Sequence, residues 1–223
     1  MQIDEIINKI KKEPQYLSLK NVVENNSYHT NQATYDHSLE VLERAKEFCS
    51  GNFIENEEAK KLFKEFTNQE VGGLKIIDSM LLVALLHDIS KGARYKDNNE
   101  QEQVVLKTLP NGNTSGYMHE YVSSLLAPQL LKYKGLSEEA VNHVCKIIKL
   151  HDAFNEDYFK MVSDWPIEQI VDNVKLRAEG VYIEALFNIY CDCFTAEPFQ
   201  FALETIKKIF ESPSFYTKRT FYF

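Results

Sequence analysis

The 223-residue chain has few of the features that mark membrane or secreted proteins. Its longest apolar run, residues 80–86, is far shorter than the roughly 20 residues needed to span a bilayer. The four cysteines include a single C-x-C pair, Cys191 and Cys193, and have no zinc-finger spacing. The first residues, MQIDEIINKIKKE, contain no apolar core of a signal peptide. We therefore expect a cytoplasmic protein with reduced thiols and no membrane partner.

Positive charge and turn-forming residues are also scarce. Lys and Arg number 25 against 33 Asp and Glu, so the formal net charge is -8. This balance disfavours a strongly basic groove for nucleic acid, although a local basic patch would be compatible with it. Only 8 Gly and 6 Pro are present, which favours helices over a turn-rich β architecture. The composition predicts one all-α domain over residues 1–223, and the oligomeric state is not readable.

Helical periodicity dominates the rest of the chain. It predicts helices over residues 2–12, 33–49, 55–67, 74–88, 118–133, 138–151, from 164–166 onward, 180–196 and 199–211. The polar segment 93–117 predicts a long surface loop, with room for a short hairpin or helix, that lines the entrance of a site. A strand is otherwise expected only in the aromatic tail FYTKRTFYF, which we treat as an extension of the domain.

The most apolar predicted helix ends on His87 and Asp88, in SMLLVALLHDISKG. An unpaired ionisable group is costly to bury, so this pair needs a partner. Other histidines and carboxylates occur at or near helix ends: His37, His119, His151 and Asp192. Imidazoles and carboxylates are the ligands that divalent ions such as zinc, iron, manganese or magnesium bind. We therefore predict a metal site there. Each residue alone is more often an ordinary core or surface residue, and we expect His143 on a solvated helix face.

The order of these residues resembles the H…HD…H…H…D pattern of the HD-domain phosphohydrolase superfamily. The segments TYDHSLEVL and ALLHDISKG are similar to the first-histidine helix and the core motif of that superfamily. Ser90 stands where HDIGK forms of the motif have glycine. The segment from His119 to Asp152 resembles the part that supplies two further histidines. The resemblance covers about residues 25–200 and extends to the HD modules of bacterial tRNA nucleotidyltransferases.

The resemblance implies a single HD-type helical bundle with one or two divalent ions, whose identity among Fe, Mn, Ni, Co, Zn and Mg is not readable. The implied ligands of the first ion are His37, His87, Asp88 and Asp192. His119 and His151 would complete a second site, with Asp88 bridging the two ions. If only one ion binds, these two histidines would contact the substrate phosphate instead.

Further roles are implied for residues near the HD pair. Asp88 and Lys91 are the candidate catalytic residues, and Lys91 and Arg94 are candidate contacts of a substrate phosphate. A solvated lysine at a helix end is the alternative for Lys91. Asp152 is a candidate to orient a ligand histidine, with an ordinary surface carboxylate as the alternative.

The function implied is metal-dependent hydrolysis of a phosphate ester, monoester or diester, by a metal-activated hydroxide, with a nucleotide as the expected substrate. Two alternatives stay open at this point. One is a non-catalytic, metal-containing binding or regulatory module, since folds host more than one function. The other is a hydrolase acting on RNA ends such as a 2′,3′-cyclic phosphate, which the acidic balance disfavours.

Overall fold

The computed structural model describes residues 2–96 and 99–217, and within them the chain is mainly helical. The helices are α1 (Ile3–Ile10), α2 (Pro14–Leu17), α3 (Thr34–Phe48), α4 (Glu57–Thr67), α5 (Ile76–Leu86), α6 (His119–Leu131), α7 (Glu138–Lys149), α8 (Glu156–Val162), α9 (Ile167–Arg177), α10 (Tyr182–Asp192) and α11 (Gln200–Phe210). The predicted all-α class is confirmed. No helix in this described part has the length and apolar content to cross a membrane.

The strands are short and pair only with a chain neighbour, in antiparallel ribbons. They are β1 (Val23–Glu24) with β2 (Gln32–Ala33), β3 (Glu70–Val71) with β4 (Leu74–Lys75), β5 (Arg94–Lys96) with β6 (Glu102–Val104), and β7 (Leu106–Thr108) with β8 (Thr114–Gly116). The last two ribbons occupy the predicted surface loop. The first two were missed, because two-residue strands are too short to show alternation. Of the aromatic tail, residues 218–223 lie outside the described part.

Helix α5 is the centre of the fold, and helices α3, α7 and α10 pack around it. From Ser79 to Leu86 every side chain of α5 is buried. An apolar surface on all sides of a helix is typical of a buried core helix. Buried apolar side chains from Ile6 to Phe215 form one contiguous cluster around it. Helices α3 and α7 turn one face toward this core, whereas α10 is buried on all sides from Ile183 to Cys191.

Several predicted helix boundaries were wrong, and the differences matter for the site. Helix α5 ends at Leu86, so His87 and Asp88 lie in the turn that follows it. Helix α10 ends at Asp192 and does not continue to residue 196. Helix α8 was not predicted, although Asn155 caps it by accepting a hydrogen bond from the backbone N–H of Tyr158. Two of the metal-ligand candidates, His87 and Asp192, therefore lie at helix C-termini.

The cap of α4 offers a direct test of local helix stabilisation. Asn56 Oδ1 accepts hydrogen bonds from the backbone N–H groups of Glu58 and Ala59, at 3.1 and 3.0 Å. We expect Asn56→Ala to lower the free energy of unfolding by about 1 kcal/mol, because two helix N–H groups lose their acceptor. Urea denaturation measures this loss. Asn142→Ala, on the exposed face of α7, is the control and should not destabilise the protein; equal losses would contradict the capping role.

Candidate metal centre

The structure brings all six predicted ligands together at one end of the helical bundle. His37 lies in the first turns of α3, and His119 is the first residue of α6. His87 and Asp88 follow the C-terminus of α5, His151 follows that of α7, and Asp192 ends α10. Three helix C-termini therefore point at the cluster. Each carries about half a negative charge from its peptide dipoles, which favours a cation there.

The six ligand side chains form two groups of three. One group is His37, His87 and Asp192, and the other is Asp88, His119 and His151; within each, one ligand atom per residue lies within 4.8 Å of the others. In the first group, Asp192 Oδ1 lies 2.7 Å from His37 Nε2 and 3.5 Å from His87 Nε2. In the second, His119 Nε2 lies 3.1 Å from His151 Nε2.

Asp88 connects the two groups because its two oxygens face different histidines. Its Oδ2 lies 3.2 Å from His87 Nε2 and 3.9 Å from His37 Nε2. Its Oδ1 lies 3.5 Å from His119 Nε2. Only 2% of its side chain is exposed. A carboxylate in this position can bind one ion with each oxygen.

Two of the histidines have Nδ1 bound to a backbone carbonyl oxygen, which leaves Nε2 as the nitrogen that can ligate a metal. His87 Nδ1 lies 3.1 Å from the carbonyl oxygen of Ala84, and His151 Nδ1 lies 2.6 Å from that of Ile148. A carbonyl oxygen can only accept, so Nδ1 donates and, in the neutral ring, Nε2 carries a lone pair directed at the cluster. Such a backbone contact is the usual support of a metal-ligating histidine.

The ionisation of the cluster follows from burial and from its close neighbours. Burial lowers the pKa of His151 to about 3, with a further decrease caused by His119 and His87, so this ring is neutral at pH 7. Burial disfavours the charged form of His87, but Asp88 and Asp192 outweigh it and raise its pKa to about 10. Burial would also raise the pKa of Asp192, yet His87 and His37 hold it well below its ordinary value. Asp192 is therefore a carboxylate at neutral pH.

Three buried polar atoms of the cluster make no hydrogen bond within the described residues: His87 Nε2, Asp88 Oδ1 and His119 Nδ1. Asp88 Oδ2 lies 3.2 Å from His87 Nε2, but His87 Nε2 has no hydrogen-bond partner among the described residues. Leaving a buried polar group unsatisfied costs about 1–3 kcal/mol. An ion held by the first group would satisfy His87 Nε2, and an ion held by the second group would satisfy Asp88 Oδ1. The donor set therefore fits a metal.

Lys91 is neither a solvated lysine nor a free cation in the cleft. Its Nζ lies 2.7 Å from Asp88 Oδ2 and 2.7 Å from Glu24 Oε2, and 8% of its side chain is exposed. Glu24, on β1, in turn accepts a hydrogen bond of 3.0 Å from Thr34 Oγ1. The predicted solvated alternative is wrong, because the two carboxylates bind the ammonium in the interior. Sequence reasoning missed Glu24, since no spacing rule connects β1 to the turn after α5.

Arg94 is not brought to the cluster. It lies on β5 with 65% of its side chain exposed and forms an ion pair with Glu102 at 3.1 Å. The two residues are on facing strands of one ribbon. The expected contact with a substrate phosphate therefore has no support from its position, and it does not line the cleft described below.

Ser90 stands where the HDIGK form of the motif has glycine. It connects the turn after α5 that contains His87 and Asp88, here called the HD turn, to α6. Its side chain is buried and donates a hydrogen bond of 2.9 Å to the carbonyl oxygen of His119. Ser123 Oγ donates to Ser90 Oγ at 3.0 Å and accepts from the Ser90 N–H at 3.2 Å. A glycine could not make the contact to His119. Ser90 therefore helps to hold the first turn of α6 against the HD turn.

Two other histidines differ from expectation. His143 is not on a solvated face, because its Nε2 lies 3.2 Å from Oε1 of the buried Glu184. His29, in the connection between β1 and β2, packs its ring 4.3 Å from the ring of His37. Gln32 Oε1 lies 3.0 Å from His29 Nδ1. His29 is thus a neighbour of the cluster that sequence spacing did not reveal.

The cluster opens into a cleft of about 350 Å³. His37, His119 and Asp192 reach its surface from the cluster, and Asp152 is an exposed carboxylate on its wall. Partial loss of solvation between the cleft walls raises the pKa of Asp152 to about 6; His119 opposes this increase, and Glu120 and Asp192 add to it. Within the described residues it has no hydrogen bond to His151, so its predicted role in orienting that ring has no support. A small molecule can reach the cluster through this opening.

No protein-family model matches the chain, and no curated protein matches its sequence. The resemblance to the HD superfamily therefore rests on the residue pattern alone. The geometry adds two three-residue groups, each with two buried members, that could each hold a metal ion. Membership of the superfamily stays a prediction.

Proposed function

We propose that the chain is a metal-dependent phosphohydrolase of the HD type. The observation that carries this proposal is the pair of three-residue groups joined by Asp88, whose two oxygens face opposite groups. When bound, divalent ions would supply positive charge for phosphoryl oxygens and lower the pKa of a bound water. His37, His87 and Asp192 would hold one ion, and His119 and His151 the other, with Asp88 shared.

The chain's own residues prepare the cluster for this role. His151 stays neutral at pH 7 and presents a lone pair at Nε2. Asp88 is kept ionised because Lys91 and His87 outweigh the effect of burial, which alone would raise its pKa. Lys91, which is also bound to Glu24, orients this carboxylate and does not contact the substrate. These contacts fix the ligands before any ion arrives, which limits the reorganisation needed for binding.

The open cleft favours a catalytic role for the bound ions over a purely structural one. Structural metal sites are closed by protein ligands, whereas catalytic sites keep an accessible position. Here 15% of the His119 side chain and 19% of the Asp192 side chain are exposed, and both line the cleft. A phosphate ester could therefore approach both groups of ligands. The non-catalytic module becomes the better account only if ions bind and no ester is hydrolysed.

Metal content and turnover test the proposal together. We expect two manganese ions per chain by elemental analysis of protein purified without an affinity tag and loaded with Mn²⁺. His119→Gln should reduce this to one, because the second group loses one of its three ligands. His143→Gln is the matched control and should retain two. The loaded wild-type protein should hydrolyse 4-nitrophenyl phosphate or its bis-ester. Failure to bind any divalent ion would contradict the metal assignment, and two bound ions without turnover would contradict the hydrolase.

A further inference from the structure

The wall of the cleft is rich in carboxylates and poor in cations. Its acidic residues are Glu24, Glu40, Asp152, Glu156 and Asp192. Among residues 2–96 and 99–217, Lys91 is the one lysine or arginine that lines it. That ammonium is already bound by Asp88 and Glu24 at 2.7 Å each, so it has little charge left for a ligand.

The acidic residues differ in how far nearby cations compensate them. Glu40 pairs with Arg44 at 3.2 Å, and Glu156 pairs with Lys160. Asp152 has no lysine or arginine within 4.0 Å in the described part of the chain, and it lies close enough to His119 for the two to interact electrostatically. Outside the cluster, Asp152 is therefore the carboxylate of the cleft wall that no lysine or arginine within 4.0 Å compensates. An anionic group entering here would meet a carboxylate with no cation beside it.

The remaining polar surface of the cleft is uncharged. Apart from the cluster residues it includes the imidazole of His29, whose pKa is lowered by burial, and amide, hydroxyl and phenol side chains such as Asn26, Ser27, Tyr28, Gln32, Thr114 and Asn155. The β7–β8 ribbon contributes to it and is held to the β1–β2 connection by two hydrogen bonds: Asn25 N–H donates to Thr114 Oγ1 at 2.8 Å, and Thr114 N–H donates to the carbonyl oxygen of Asn25 at 2.7 Å. Such groups can bind hydroxyls and amides of a ligand, but they cannot neutralise a second phosphate.

We propose, on the premise that the chain is the hydrolase described above, that the cleft selects esters with a single phosphate and an uncharged or cationic leaving group. The phosphate would be neutralised by the bound ions. Every further anionic group, whether a second phosphate or a carboxylate, would lie against Asp152 and its neighbours without a cation. One such like-charge contact in a partly buried cleft lowers kcat/KM by roughly tenfold. Nucleoside polyphosphates are therefore poor substrates.

Three small esters that differ mainly in leaving-group charge test this. We expect the Mn²⁺-loaded protein to hydrolyse phosphocholine and glycerol phosphate with kcat/KM at least about tenfold above that for phosphoglycolate. A nucleoside triphosphate, assayed at the same free Mn²⁺ concentration, should also be disfavoured against the corresponding monophosphate. Equal kcat/KM across the charge series, or preference for the triphosphate, would overturn the selectivity while leaving the hydrolase intact.

A variant that removes the charge of Asp152 tests whether the selectivity arises from the cleft. Asp152→Asn should reduce the ratio of kcat/KM for glycerol phosphate over phosphoglycolate by at least about threefold, because the opposing charge is gone. Glu65→Gln, which removes one exposed negative charge on α4, should leave the ratio unchanged. An unchanged ratio in Asp152→Asn would contradict the role given to Asp152. If the loaded protein hydrolyses none of the esters or nucleotides, the proposed function fails and this selectivity with it.

Discussion

Asp88→Asn is expected to abolish binding of both ions and to reduce phosphate-ester hydrolysis by about a thousandfold or more. The carboxylate is shared, so its replacement by an amide weakens both groups of ligands at once. Loss of several kcal/mol of charge stabilisation corresponds to a rate decrease of this order. Metal affinity should fall by more than about 100-fold, beyond what removal of a supporting contact produces. Calorimetric titration with Mn²⁺ and steady-state kinetics measure the two effects.

The Asp88 variant also removes one partner of a buried ion pair, so its folding has to be measured alongside. Asparagine keeps the shape of the side chain, and circular dichroism with thermal melting shows whether the variant retains the helical fold. Asp164→Asn, at an exposed position between α8 and α9, is the matched control and should retain wild-type metal content and activity. A folded Asp88→Asn protein that still binds two ions would refute the bridging role.

Lys91→Met is expected to destabilise the metal-free protein by about 3–5 kcal/mol, because it leaves Asp88 and Glu24 buried without their shared cation. Methionine has a similar length and adds no charge. Urea denaturation in the presence of a chelator gives the free energy of unfolding. Lys96→Met, whose exposed ion pair with Glu100 spans 3.1 Å, is the control and should change it by less than about 1 kcal/mol.

The way in which the stability of Lys91→Met depends on pH and on added metal distinguishes a structural role of Lys91 from a contact with the substrate. In the folded protein the pKa of Asp88 lies well below its ordinary value of 3.8, since Lys91 and His87 outweigh burial. A carboxyl group whose pKa is depressed in the folded state stabilises the fold at every pH above its ordinary pKa. This contribution is lost as the pH falls from the ordinary pKa through the folded-state pKa. The loss of unfolding free energy in Lys91→Met should therefore be complete at pH 7 and become smaller below about pH 4. Added Mn²⁺ should restore part of it. Unchanged stability with a raised KM would instead support a phosphate contact.

The sequence predicted the fold class because helical periodicity is a local pattern, and it named candidate ligands from residue type together with the resemblance to the HD superfamily. An apolar stretch that ends in His87 and Asp88 specifies a buried helix whose polar end needs a partner, and α5 has this form. His37 and Asp192 were found by residue type and by their place on helices. Boundaries were less accurate, as in α10, because the last turn of a helix depends on what packs against it.

Other features depend on contacts between residues far apart in the chain, which no local pattern encodes. Lys91 meets Glu24 across 67 positions, and this contact makes it a structural cation. Arg94 follows Lys91 closely in sequence, yet the β5–β6 ribbon places it in solvent. The apolar pattern of α7 places His143 on the outer face of that helix, but Glu184 of α10 covers its ring.

The sequence by itself thus determined an all-α protein through helical periodicity, whereas the six residues of the candidate metal centre were named from residue type, from buried charge and from the resemblance to the HD superfamily. Only the tertiary structure decided how those six divide. Packing of α3, α5, α6, α7 and α10 places Asp88 between two groups of three, because three helix C-termini and two N-termini converge at one end of the bundle. It also decided the character of the cleft, since the carboxylates that line it come from segments as distant as Glu24 and Asp192.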